Sequence, residues 1–205
     1  MFRFWKSSGS LGRRVGILSA AFNPPTIAHL ELARRARRQF TLDEVLFLLP
    51  EVFPHKDYGG ASFEQRLAML SAALAGEPAF TIGSTDRGLF IDIARACRPI
   101  YGPPARFFFL CGRDAAERIV GWDYGPGATY TEMMGEFEML VAPRGGVYEV
   151  PPELSGGIHL LDLPPELDSC SSSAVREAIT AGRPWEQLVP PGVPAVIRRE
   201  RLYGS

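Results

Sequence analysis

The sequence has no run approaching the roughly 18 consecutive apolar residues of a membrane span, which leaves no candidate for a spanning helix. Its opening, MFRFWKSSGSLGRR, interleaves charges with aromatics and lacks the continuous apolar segment of a secretory signal. Cysteine is scarce. Cys97, Cys111 and Cys170 are odd in number and lie in no metal-type spacing, so a reduced, cytoplasmic setting fits. Neither sign of charge is in excess: a net charge of −1 supplies no field that would draw the chain to nucleic acid or to a membrane surface. Internal repeats and low-complexity tracts are also missing. Histidine is as rare as cysteine, with three in the chain, and one of them, His29, follows a double proline in FNPPTIAHL.

What is present is the composition of an ordinary folded domain, 46% hydrophobic and 22% charged over 205 residues, enough for one well-formed core. Residues 1–13 read as a loosely held leader and 14–205 as one domain. Apolar runs alternate with helical patterns: VGILSA, EVLFLLP, AFTIGS, RFFFLCG, FEMLVAP and IHLLDL read as strands. TIAHLELARRARRQF, SFEQRLAMLSAAL, LFIDIARACR, RDAAERIV, SSAVREAITAG and VPAVIRRERL read as helices. Ser62 and Gln65 have the spacing of a capping box. The strands are uniformly apolar rather than alternating, as in a parallel sheet buried on both faces. The expected fold is α/β: a single doubly wound, Rossmann-like parallel sheet with helices on both faces.

Ligands of such folds bind beyond the carboxyl ends of the strands, and four unusual segments map to that edge. In the first, a strand, a proline-bearing turn and a helix N-terminus make an anion site, and Thr26 and His29 face one side of the first turn. The alternative is that Pro24 and Pro25 only start a helix while His29 packs or is solvated. In SCSSSAVR, the hydroxyls of Ser171, Ser172 and Ser173 and the guanidinium of Arg176 would grip a phosphate; alternatively they are a serine N-cap and a surface arginine. Pro54–Lys56 reads as a substrate loop or an exposed polar one. In LCGRD, Gly112 permits close backbone approach and Asp114 either accepts from ribose hydroxyls or caps the next helix. Trp122 either stacks on a base or covers the core.

Taken together these segments resemble the nucleotidyltransferases that adenylate nicotinate or nicotinamide mononucleotide. SAAFNPPTIAH keeps that family's Phe22, Asn23, Pro24, Thr26 and His29, and CSSSAVR keeps Ser171, Ser172 and Arg176, with Ser173 in place of threonine. PHK followed by QRLAML, FFFLCGRD with Trp122 and FEMLVAPRGG, and the tail from Ala181 to Tyr203 follow the family in order, over about residues 15–203. The departures are Ser19 and Ala20 where the family has glycines, Ala28 at its small-residue position, Arg113 in place of alanine, and GLFIDIA, Gly88–Ala94, where acid-specific members carry a Ser-Tyr-Thr stretch.

The resemblance implies in-line transfer of the adenylyl group of ATP to the mononucleotide, with Mg²⁺ arriving on ATP and no dedicated metal site in the protein. It implies that His29, Thr26, Lys56 and Arg176 are catalytic, and that Ala20, Ala21, Phe22, Asn23, Gly112, Asp114, Ser171, Ser172 and Ser173 bind nucleotide. His55, Phe90, Trp122 and Arg144 would face the pyridine substrate. The partners expected are small nucleotides, with homo-oligomerisation left open. Two other classes stand beside this reading: transfer to a different phosphorylated acceptor, and a non-catalytic nucleotide-binding module.

Overall fold

The central strands pack into one sheet because they carry apolar side chains on both of their faces. The structure is a computed structural model that describes residues 2–9, 11–51, 60–122, 124–125, 129–143 and 146–205. Among these, seven strands lie in the order β1-β4-β3-β2-β5-β6-β7. They are β1 (Phe2–Lys6), β2 (Arg14–Ser19), β3 (Glu44–Pro50), β4 (Phe80–Thr85), β5 (Arg106–Gly112), β6 (Glu138–Ala142) and β7 (Ile158–Leu160). All neighbours are parallel except β1 and β4. The helices are α1 (Ile27–Gln39), α2 (Phe63–Ala73), α3 (Phe90–Tyr101), α4 (Arg113–Val120), α5 (Tyr130–Met133), α6 (Ser172–Thr180) and α7 (Val193–Arg199).

On β5 the side chains of Phe107, Phe109 and Cys111 join one core with α3, α4 and α5, while Phe108 and Leu110 join the other with α1 and α2. Burial on both faces is what makes the strand read as an unbroken apolar run. A third cluster holds α6 and α7 against α2 through Val175, Ile179, Val193, Ile197 and Met69. The capping box at the start of α2 is present: Ser62 N–H donates to Gln65 Oε1 at 2.9 Å and Gln65 N–H to Ser62 Oγ at 3.3 Å.

The reading of residues 1–13 as a loose leader is corrected. β1 pairs antiparallel with β4, opposing Phe2 to Thr85 and Phe4 to Gly83. Trp5 Nε1 donates to Ser84 Oγ at 3.0 Å, Lys6 Nζ donates to the carbonyls of Leu74 and Glu77 at 2.8 and 2.6 Å, and Ser8 Oγ donates to the buried Glu44 carboxylate at 2.9 Å. The free edge of β4 supplies the backbone partners that a local reading of a charged, aromatic stretch cannot see. α5 is likewise absent from the sequence reading, since four residues are too few to display a helical period; its start is fixed by a capping box between Thr129 and Glu132.

The chain runs from β2 outwards to β3 and β4 on one side and to β5, β6 and β7 on the other. The crevice at this reversal lies beyond Ser19 and Gly112, and it is where such sheets bind ligands.

Candidate active site

The loop leaving β2 is built around two buried residues. Phe22 takes a left-handed backbone (φ 48°), and its ring lies under the imidazole of His29 at 5.2 Å and against Phe47 at 5.6 Å. Thr26, wholly buried, is the N-cap of α1. Its hydroxyl accepts from His29 N–H at 3.4 Å, while the Thr26 N–H donates to His29 Nδ1 at 3.0 Å. With Nδ1 accepting, the ring proton of neutral His29 is on Nε2, so the capping box that starts α1 also fixes the tautomer that can donate to a ligand.

His29 lines a cavity of about 550 Å³ together with Ala20, Gly112, Asp114, Phe90 and Trp122. Two helices begin in its wall. α3 starts after Gly88 and Leu89 and α4 after Gly112, and neither N-terminus bears a side-chain cap among the described residues. Their first amides carry the positive ends of two helix dipoles to one space, the arrangement that accepts anionic groups. Phe90 stacks one face on Phe109, 4.1 Å between centroids. Trp122 is 48% exposed, leaving indole surface for a planar ligand. Arg113 also lines the cavity, and its Nε lies 3.4 Å from Asp114 Oδ1. A Cβ at Gly146 would come within 2.3 Å of Arg113 Nη1, so glycine there makes room for the guanidinium.

Ser172 and Arg176 grip the opening loop. Ser172 Oγ donates to the Pro24 carbonyl at 2.7 Å; Arg176 Nη1 donates to the Asn23 carbonyl at 2.7 Å and Nη2 to Ser173 Oγ at 3.1 Å. Ser171 is the N-cap of α6, accepting from Ala174 N–H at 3.1 Å. Thus the start of α6 and the loop leaving β2, far apart in the chain, meet.

A model of the cytidylyltransferase-like family matches residues 17–178. A protein of Gloeobacter violaceus named "Probable nicotinate-nucleotide adenylyltransferase" is 32% identical, covering 94% of this chain and 97% of its own. One of the same name from Bordetella pertussis is also 32% identical, covering 93% and 98%. The chain belongs to this family. The fold agrees: the Plasmodium falciparum nicotinic acid mononucleotide adenylyltransferase complexed with NaAD superposes with a TM-score of 0.74 at 18% identity, over 93% of this chain and 97% of that one.

Within this adenylyltransferase framework several expected contacts move one step back from the ligand. Thr26 has no exposed surface and spends its hydroxyl on the cap, so it positions His29 and cannot itself touch phosphate. Phe22 and Asn23, 1% and 2% exposed, lie beneath the loop rather than on it. The Ala21 carbonyl is taken by Arg66 at 3.1 Å. Ala20, Phe90, Gly112, Asp114 and Trp122 do line the cavity, whereas the α6 residues are not part of its wall. His55, Lys56 and Arg144 lie outside the described residues.

Arg66, which the sequence reading passes over, is 4% exposed and links the Ala21 carbonyl to that of Pro50 at 3.4 Å. Its signal was available: it is three and four residues before Met69 and Leu70, both fully buried, on the inward face of α2. No described group of three or more His, Cys, Asp or Glu forms a metal cluster, and no described helix is long and apolar enough to cross a membrane.

Cys111 lines the cavity yet is not a nucleophile, because burial pushes its thiol up to about 12, as it does that of Cys97. Cys170 is buried as well. All three are therefore expected to resist a thiol-titrating disulfide reagent near neutral pH in the native protein and to react promptly after denaturation. Rapid native reaction of any one would contradict this burial.

Proposed function

We propose that the protein transfers the adenylyl group of ATP to nicotinate mononucleotide. A phosphate oxygen of the mononucleotide attacks the α-phosphorus, a new P–O bond forms, and the bond to the β-phosphate breaks to release pyrophosphate. Such transfer requires alignment and charge neutralisation rather than a covalent enzyme intermediate. The observation that carries the reading is the single cavity that brings His29 together with two uncapped helix N-termini at the reversal of the sheet.

In this reading the Nε2–H of His29 donates to the phosphate oxygens on which charge grows, and Thr26 holds the ring. Arg176 keeps N–H groups beyond those bonded to Asn23 and Ser173, which with the Ser173 hydroxyl serve the departing pyrophosphate, while Ser172 holds the loop through the Pro24 carbonyl. Gly112 and Asp114 position the nucleotide, and Trp122 and Phe90 frame the pyridine. Lys56, His55 and Arg144 keep the roles that the resemblance gives them. Mg²⁺ enters as part of the ATP substrate, which suits a cavity whose described wall offers one carboxylate, Asp114. A reaction that draws on ATP, in a chain with three buried reduced cysteines, belongs in the cytoplasm.

Gly88, Leu89 and Phe90 line the cavity where acid-specific members carry hydroxyls, which favours a broader acceptor range. The loss of one hydrogen bond to a charged group is worth roughly 1.5–3 kcal/mol. The expected result is adenylation of nicotinate mononucleotide with appreciable use of nicotinamide mononucleotide. The test is pyrophosphate release from ATP with both mononucleotides and a panel of other phosphorylated acceptors. A kcat/KM ratio favouring the acid by more than about a thousandfold, roughly 4 kcal/mol, would mean that another part of the pocket reads the carboxylate. Turnover with another acceptor alone would replace the reading.

A further inference from the structure

The carbonyls of the opening loop are spoken for in turn: Ala21 by Arg66, Asn23 by Arg176 and Pro24 by Ser172. The side chain of Asn23 is a second fastening of a different kind. Its Oδ1 accepts from the Tyr203 hydroxyl at 2.5 Å and from the Ala61 N–H at 3.4 Å, and its Nδ2 abuts Gly60, where an added Cβ would come within 2.8 Å. Gly60 and Ala61 carry the chain from residues 52–59 into α2. Asn23 therefore ties together the loop before His29, the return from the segment bearing His55 and Lys56, and the end of the chain.

Tyr203 is built for this contact at a conformational cost. It and Arg201 both have left-handed backbones, φ 62° and 51°, in residues that rarely adopt them. The bend inserts Leu202 into the cluster of α2, α6 and α7 and turns the phenol to Asn23, beside Met69 Sδ at 3.9 Å. Thr180 of α6 donates to the Tyr203 carbonyl at 3.4 Å, so the turn is joined to the helix that carries Ser172 and Arg176. Burial raises the phenol above its usual range, which keeps the hydroxyl a donor at neutral and mildly alkaline pH. Strain that persists in a turn is a reason to look for a role there besides the packing of Leu202.

We propose that Tyr203 is a positioning residue for adenylyl transfer: through Asn23, the C-terminal turn holds the His29 loop and the α6 phosphate grip in one fixed arrangement. The inference rests on the adenylyl-transfer reading for its kinetic arm only. Tyr203→Phe, which removes one oxygen, is expected to lower kcat for pyrophosphate release about tenfold, to leave both KM values within about twofold, and to lower amide-exchange protection over residues 20–26. Asn23→Ala is expected to do the same, and adding Tyr203→Phe to it should bring no further loss. Ser205→Ala, which removes only the bond of Ser205 Oγ to the Ile197 carbonyl at 3.3 Å, should keep normal turnover. Full kcat and unchanged exchange in Tyr203→Phe would overturn the proposal, as would additive losses in the double variant. If one single variant does not accumulate as folded protein, the other decides by the same measurements. Wild-type protein inactive on every acceptor would refute the adenylyl-transfer reading, and the exchange comparison would still decide this one.

Discussion

His29→Ala is expected to lower kcat by about 10²–10³, the usual loss of about 2.7–4 kcal/mol when one preorganised donor to a developing charge is removed. KM for ATP should change little, because the donor counts most where charge builds up. The substitution also removes the acceptor of the Thr26 amide and so weakens the start of α1. A second variant separates these effects. Glutamine at the same position can reach back to the Thr26 amide, as Gln65 does to Ser62 at the start of α2. His29→Gln should therefore recover the thermal stability of the wild type while turnover stays low. Near-normal turnover in His29→Ala would remove the residue from the mechanism.

Arg176→Lys is expected to be harmful although charge is conserved. The guanidinium spans two acceptors at once, the Asn23 carbonyl and Ser173 Oγ, with separate nitrogens. An ammonium on a single point cannot reproduce that fork and still face a phosphate. Loss of one hydrogen bond to a charged group, about 1.5–3 kcal/mol, corresponds to roughly a 10- to 150-fold fall in kcat/KM. Unchanged kinetics would leave Arg176 as a clamp on the loop with no part in pyrophosphate departure.

What could be read from the sequence follows how local the cause is. The strands from β2 to β6 were legible because burial on both faces leaves an apolar run, and the start of α2 because a capping box spans four residues. The pairing of Thr26 with His29 was visible from their spacing. Their division of labour was not: that Thr26 is spent on the cap depends on its complete burial, which the rest of the fold supplies. Ser171 turned out to serve as the N-cap that its alternative reading described, while Arg176 is no free surface arginine. β1 and the contact of Tyr203 with Asn23 were beyond reach, since each joins residues far apart in the chain with no local pattern to announce it.

The position of β1 has a consequence for how the protein behaves in solution. Without residues 2–6 the sheet would end on β4, whose Phe80–Thr85 side chains are all buried and whose backbone would present an open row of donors and acceptors. Such a bare edge is a template for pairing with another chain. β1 covers it and turns outward a strand that carries Arg3 and Lys6, with Arg3 lying over the Trp5 ring at 5.1 Å. Its short length and positive charges discourage further strand addition. Residues 2–6, which line no part of the cavity, cover the edge that would otherwise invite aggregation, and a chain begun at Arg14 would lose that cover while keeping every residue that lines the cavity.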